Sequence, residues 1–267
     1  MTNDIKFNIL AWRDKEDIAR QQSYETHIHK MIECWENYLK PKYIKSLQRV
    51  MELDENALDY IVKYMLIVHD SGKCTEYYQR NITSPKRYRH EIVSSYLAYR
   101  LIDNVIDTKI KYLVSGAILL HHEPILMGSI SYQRERGITL TDIRGRIEYP
   151  SGSKRDDSAR RLHYDFKRLF KYLFERYLSD NNKILTKIIS NMANLSDEID
   201  INDLIDTLGD IVAILSLAGD DVWRHKMRFQ VSALQYILVV CDYYSSKDRS
   251  PKEFEFLKEI KWEWGDL

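Results

Sequence analysis

Cysteine is scarce in this chain: Cys34, Cys74 and Cys241 are the only three in 267 residues, odd in number and far apart. That excludes a disulfide framework and any Cys-x-x-Cys zinc site, and it fits a reducing cytoplasm. No run approaches the ~18 uninterrupted apolar residues of a membrane span, and no basic stretch leads into an apolar one at the acidic N-terminus, which carries Asp4. The expectation is a cytoplasmic, non-exported protein with no membrane attachment. Net charge is also missing, since 40 Lys and Arg balance 40 Asp and Glu. No global basic field announces a nucleic-acid binder, so any attraction for phosphate must be local. Nine glycines and five prolines, against frequent Lys, Glu, Leu, Ile and Tyr, favour long helices over hairpins. There is no internal repeat and no low-complexity tract.

What is present is a run from Ala57 to Val68 whose Leu58, Ile61, Val62, Met65 and Leu66 recur at helical spacing and predict a buried face. His69-Asp70-Ser71-Gly72-Lys73 follows it directly. An imidazole and a carboxylate buried side by side cost free energy unless compensated, and a divalent cation compensates both. Gly72 permits a sharp exit from the helix, and Lys73 adds a mobile positive charge. Similar chemistry sits at the ends or inner faces of other predicted helices. His27 lies beside the apolar face of a helix from Ser23 to about Lys40, where Pro41 interrupts, while His29 points elsewhere. His121-His122 closes a helix from Lys109, and Asp242 closes the buried run Tyr236 to Cys241 of a helix from Val222 to Ser246. His90 stands at the start of another.

Between Lys73 and Arg100 six cations, including Arg80, Lys86, Arg87 and Arg89, face only Glu76 and Glu91. Tyr77, Tyr78 and Tyr88 are interleaved, and aromatic faces beside cations suit stacking and phosphate contact with a single strand. From 126 to 161 glycines punctuate a basic stretch that reads as a long mobile loop, either a lid or strand guide or a disordered insertion. Further helices are predicted over Asp157 to Leu178, Ile184 to Met192 and Ile201 to Leu217. The tail, 247–267, is undecided between strand and docked helix.

His27, His69-Asp70, His90, His121-His122 and Asp242 together resemble the HD superfamily of metal-dependent phosphohydrolases. The likeness is stronger to the HD nuclease of type I CRISPR interference, whose pattern is matched by His-Asp-x-Gly-Lys at His69 to Lys73, aromatic-Gln at Tyr78-Gln79, Arg89-His90-Glu91-Ile92-Val93-Ser94, the pair His121-His122, and Asp242 with Ser246 four residues on. Tyr78 replaces the usual Phe. The resemblance implies an all-α HD helical bundle, a single domain over 1–267 with the basic excursion and the tail attached. It also implies one ion on His27, His69, Asp70 and Asp242 and a second on Asp70, His90, His121 and His122, with Asp70 bridging. Lys73, and secondarily Arg89, would neutralise phosphate charge, and Ser246 would orient Asp242. Arg80, Lys86, Arg87 and Tyr78 would bind the nucleic acid.

Five imidazoles and two carboxylates favour Mn, Ni, Co or Fe over Mg. Many family members are fused to a helicase, but this chain has no Gly-x-x-x-x-Gly-Lys-Ser/Thr phosphate loop. The expected activity is therefore that of a stand-alone nuclease on single-stranded nucleic acid, DNA rather than RNA, acting in antiviral defence with a separate helicase subunit and a guide-RNA surveillance complex. The rivals are an HD nucleotidase or cyclic-nucleotide phosphodiesterase, and a non-catalytic module that uses metal only to knit helices.

Overall fold

Asp54 sets the start of the central helix by accepting a hydrogen bond from the Ala57 amide at 2.9 Å, and α3 then runs Glu55–Val68. From Tyr60 to Thr75 every residue is buried. A helix hydrophobic on all sides must sit inside the molecule, and the elements around it supply the cover. The computed structural model describes residues 7–84, 88–122, 139–179, 182–247 and 249. Within them a small hairpin, β1 (Leu10–Arg13) and β2 (Gln21–Ser23), precedes α1 (Tyr24–Cys34) and α2 (Lys40–Met51). After α3 come α4 (Glu76–Arg80), α5 (His90–Leu101), α6 (Thr108–Leu119), α7 (Leu140–Glu148), α8 (Phe166–Tyr177), α9 (Asn182–Asn194), α10 (Ile201–Ser216) and α11 (Asp221–Ser246). Helices α1, α2, α5, α6, α8 and α11 all contact α3, giving the all-α bundle expected. No described helix is long and apolar enough to cross a membrane.

Several local expectations are revised. The helix predicted from Ser23 to Lys40 widens into a π-turn at Trp35–Leu39, where the Lys40 amide reaches back to the Trp35 carbonyl, and Pro41 then falls in the first turn of α2. Proline is tolerated there because no intrahelical partner is required of its nitrogen. The helix predicted from Asp157 starts only at Phe166. Residues 160 to 163 are drawn instead into backbone pairing with other segments: the Leu162 amide bonds the Asp197 carbonyl at 2.8 Å and the His163 amide bonds the Cys74 carbonyl at 2.9 Å. The basic excursion is structured from Thr139 onward. Thr139 and Asp142 form a capping box for α7, and Ile143 and Ile147 are fully buried. Residues 126–138 of that excursion, and nearly all of the 247–267 tail, lie outside the described residues. The mixed composition of residues 1 to 22 predicts irregular structure, but residues 10 to 23 form the hairpin, held to α4 through Gln79, whose amide bonds both the Leu10 amide and the Leu10 carbonyl at 3.0 and 2.9 Å.

Candidate metal centre

The chain leaves α3 through His69, still helical, into Asp70 and a tight turn at Ser71–Cys74. That turn brings the α5 backbone so close that a Cβ on Gly72 would stand 2.1 Å from the His90 carbonyl oxygen. Gly72 is therefore required for close approach, rather than for the helix exit alone; the Ser94 hydroxyl accepts its amide at 2.8 Å. This contact fixes the start of α5, and with it His90, against Asp70.

Around Asp70 the predicted ligands converge. His27 from α1, His69, Asp70 and Asp242 from α11 form one group, and Asp70, His90, His121 and His122 from the ends of α5 and α6 form a second; in each, the ligand atoms lie within 4.8 Å of one another. Asp70 is common to both. Its Oδ1 lies 3.0 Å from His90 Nε2 and 3.7 Å from His121 Nε2, while Oδ2 lies 3.3 Å from His69 Nε2 and 3.5 Å from His27 Nε2. Asp242 Oδ1 is 3.4 Å from His27 Nε2. The first group is almost wholly buried, whereas His122 is exposed and its Nε2 stands 3.0 Å from that of His90. The centre thus opens at one end.

The imidazoles are set to present lone pairs inward. His69 Nδ1 lies 2.9 Å from the Leu66 carbonyl and His121 Nδ1 lies 2.6 Å from the Ile118 carbonyl. A carbonyl can only accept, so each Nδ1 carries a proton, and in the neutral ring the lone pair is then the one on Nε2, which faces the cluster. For His27 the partner is Ser245, whose Oγ is 2.7 Å from Nδ1 and also donates to the Asp242 carbonyl at 2.7 Å. With its own proton so committed, Ser245 accepts from Nδ1 and leaves Nε2 free. Arg249 Nη2 approaches the same Nδ1 to 2.9 Å and can only donate, which favours the opposite tautomer. His27 therefore has two tautomers, of which one can ligate.

Electrostatics follow from burial. Burial drives Asp70 upward, but His69, Lys73, His121 and His27 outweigh it and hold the carboxyl well below its ordinary range. Asp242 is likewise raised by burial yet held low by His27, against the opposing charge of Asp70. Burial pushes His27 down to about 4 and also lowers His90, assisted there by the Lys73 charge. Desolvation and then the adjoining His121 and His90 rings press His122 down. In His121 burial is overcome by the Asp70 carboxylate, and the group is raised. The cluster is thus mostly neutral imidazole around ionised carboxylate, the protonation state a cation requires.

Several side chains stand elsewhere than expected. Lys73 is not mobile: the turn after α3 buries it and locks its Nζ to Asp70 Oδ2 at 2.6 Å. Tyr77, Tyr78 and Tyr88 are buried, and Tyr78 packs edge-on against His90 with centroids 5.6 Å apart. They form the wall behind the centre, not a stacking platform. Arg80 is exposed and pairs with Asp156 at 3.5 Å. Arg89 pairs with the buried Glu91, whose carboxylate stands 3.8 Å from His90 Nδ1. Lys86 and Arg87 lie outside the described residues. The Ser246 side chain makes no hydrogen bond among the described residues; Ser245 reaches the centre instead, through His27 rather than the Asp242 carboxylate, because the flank of α11 against α1 carries the residue three, not four, positions after Asp242. Sequence reasoning missed Ser245 and Arg249. The only signal for Ser245 was its place one turn beyond a buried Asp.

The chain is similar over most of its length to known proteins. It is 30% identical over 249 residues to the CRISPR-associated endonuclease Cas3-HD of Pyrococcus furiosus, covering 89% of this chain and 94% of that protein. It is 28% identical over 254 residues to the Cas3-HD endonuclease of Methanocaldococcus jannaschii, covering 91% and 93%. The Thermoproteus tenax Cas3-HD endonuclease is 25% identical over 245 residues, with 88% and 89% covered. Among solved structures, the CRISPR-associated Cas3 HD domain protein of Methanocaldococcus jannaschii matches with a TM-score of 0.57 at 25% identity, over 82% of this chain and 95% of that one. No protein-family model matches the chain.

Proposed function

This chain belongs to the family of CRISPR-associated Cas3-HD endonucleases, and from that premise we propose that it hydrolyses phosphodiester bonds of single-stranded DNA, using one or two divalent transition-metal ions on the seven-residue cluster. One observation carries the reading: Asp70 Oδ1, Asp242 Oδ1 and His121 Nε2 are buried without hydrogen-bond partners. Each buried orphan costs about 1–3 kcal/mol, and these converge on one place. A cation satisfies all of them at once. The donor set of five imidazoles and two carboxylates suits Mn, Co, Ni or Fe better than Mg, which prefers oxygen and water.

Bound there, such ions would supply an activated water and charge stabilisation for a phosphodiester. The chain's own groups do the rest. Asp70 spans both ligand groups; the carbonyls of Leu66 and Ile118 and the Ser245 hydroxyl hold the imidazoles in ligating tautomers. Lys73 keeps an ammonium beside Asp70 for a phosphate oxygen. The exposed His122 stands where substrate enters. The partners expected on this reading are a separate helicase that opens duplex and a guide-RNA complex. Three free, buried cysteines accord with a reducing cytoplasm.

The test is metal analysis of purified protein joined to cleavage assays. Single-stranded DNA should be cut with manganese, cobalt or nickel, and blunt duplex poorly. Hydrolysis of mononucleotides with no cleavage of any strand would transfer the reading to a small-nucleotide phosphohydrolase. No metal uptake and no hydrolysis with any divalent ion would leave only a structural module.

A further inference from the structure

The tyrosines expected to stack bases are buried, yet an aromatic side chain among cations does occur elsewhere on the surface. Trp12, Arg20, Gln21, Gln22, Ser23, Thr26, Lys30 and Arg249 enclose an open-sided cavity of about 320 Å³. Arg20, Lys30 and Arg249 are the charged lining groups, and among the described residues no carboxylate lines it. Arg20 lies over the Trp12 ring, 6.0 Å from its centroid, pairs with Asp14 at 3.5 Å and donates to the Arg249 carbonyl at 3.1 Å. Arg249 Nε donates to Gln22 Oε1 at 2.8 Å while its Nη2 reaches His27 Nδ1. Gln22 Nε2 in turn donates to the Ser245 carbonyl at 3.0 Å.

The cavity is therefore separated from the metal cluster by one imidazole ring: His27 offers Nε2 to the cluster and Nδ1 to the cavity wall. Asp242 and Arg249 stand at the same C-terminal end of α11, so the recess adjoins the His27–Asp242 side of the cluster, where the Asp242 carboxylate is partly exposed. Resting on the nuclease reading above, we propose that the recess is a subsite for a nucleotide next to the scissile phosphate, Trp12 stacking one unpaired base and Arg20 and Arg249 contacting the backbone phosphates on either side of it. The volume is at the low end of small-ligand pockets, ~300–1,000 Å³, and holds one nucleotide rather than a base pair. A base can lie on an indole only when it is unpaired, so this recess selects single strand over duplex. Stacking and phosphate contacts read no sequence.

The experiment measures binding of fluorescein-labelled single-stranded oligothymidylate by anisotropy, with full-length protein in excess chelator so that nothing is cut. Trp12→Ala should weaken binding by roughly 5- to 150-fold, the effect of losing one stacked base, and Trp12→Phe should restore most of it. Arg20→Gln should reduce the slope of log affinity against log salt by about 0.7, one phosphate contact on a single strand, whereas Lys45→Gln, exposed in the middle of α2 and outside the recess, should leave it unchanged. Circular dichroism and melting controls separate lost binding from lost fold. If wild type binds and cleaves the strand and Trp12→Ala does both equally well while folded, the subsite is refuted and the nuclease reading stands. If wild type binds no single strand, both fall. Free thymidine monophosphate should compete only weakly; displacement as effective as that by unlabelled oligothymidylate would make the recess a mononucleotide site and overturn the proposal.

Discussion

A half-buried carboxylate and a fully buried one stand toward opposite ends of the same helix, and they are compensated in opposite ways. Asp59, one turn into α3, accepts from the Trp35 indole at 2.8 Å and pairs with Lys40 at 3.0 Å and Lys63 at 3.1 Å. The chain itself supplies the charge and donors, and Lys63 is shared with Glu36 at 2.8 Å. Asp70, just past the other end, meets Lys73 and four imidazoles, two of which, His27 and His90, burial pushes toward the neutral form, and one of its oxygens has no hydrogen bond. Asp59 is a closed anchor; Asp70 is an acceptor with capacity to spare. The difference teaches that burial of an acid is not a signature of function. The signature is a shortfall of the chain's own cations and protons around it.

The sharpest break in this contrast comes from Asp70→Asn. The carboxylate common to both ligand groups would be gone, so metal content should fall for the whole centre and strand cleavage by on the order of 10³-fold or more, since bound metal supplies several kcal/mol and each ~1.4 kcal/mol is tenfold. Metal analysis and single-turnover cleavage measure both. Retained metal and activity would show that Asp70 resembles Asp59 after all.

Much of this contrast was legible in the sequence, because histidines and carboxylates at the ends of apolar helices stand out against an otherwise amphipathic pattern. Asp54 and Asp107 as caps, and the run of helices, follow from short-range rules that the structure keeps. What was not legible depends on which flank a neighbour packs. Tyr77, Tyr78 and Tyr88 beside cations read alike whether they face water or core, and only the approach of His90 and the turn after α3 decides for the core. Lys73 looked mobile because its confinement comes from that turn. Ser245 against Ser246 is a choice of about 100° around α11, made by the position of α1. Trp12 and Arg249 lie 237 positions apart and meet only in the folded chain.

Ser245→Ala sharpens the comparison from the open side. It removes the acceptor that holds His27 in its ligating tautomer and leaves Arg249 to favour the other, without touching any ligand. Affinity for the first-bound ion, read by calorimetry with manganese or cobalt, should fall by roughly 10- to 100-fold. Ser245→Thr, which keeps the hydroxyl, should recover it. Equal loss in both variants would reduce Ser245 to a packing role.

Asp59→Asn should do the reverse: metal affinity unchanged, stability reduced. Breaking a buried ion pair costs ~3–5 kcal/mol when both partners are dry. Side-chain exposure of 14% for Asp59 and 11% for Lys63 lets some solvent in, so about 1–3 kcal/mol is expected. Denaturant unfolding in excess chelator measures it. Metal loss in this variant would erase the distinction between anchor and acceptor.

The smallest effect is in acid. Burial raises the Asp59 carboxyl, but the Trp35 indole and the Lys40 and Lys63 ammonium groups together overcome burial, so its folded value lies below the ordinary 3.8. For such a group the unfolded chain binds a proton more readily than the folded one. Its stabilisation is therefore complete above the unfolded value of ~4 and is lost as pH falls through the folded value. The gap in unfolding free energy between wild type and Asp59→Asn, which cannot titrate there, should be flat from neutrality to about pH 5 and close below ~4. A gap that instead widened toward acid would mean that Asp59 is protonated more readily in the fold than in the open chain, and its three donors would then not be compensating a charge.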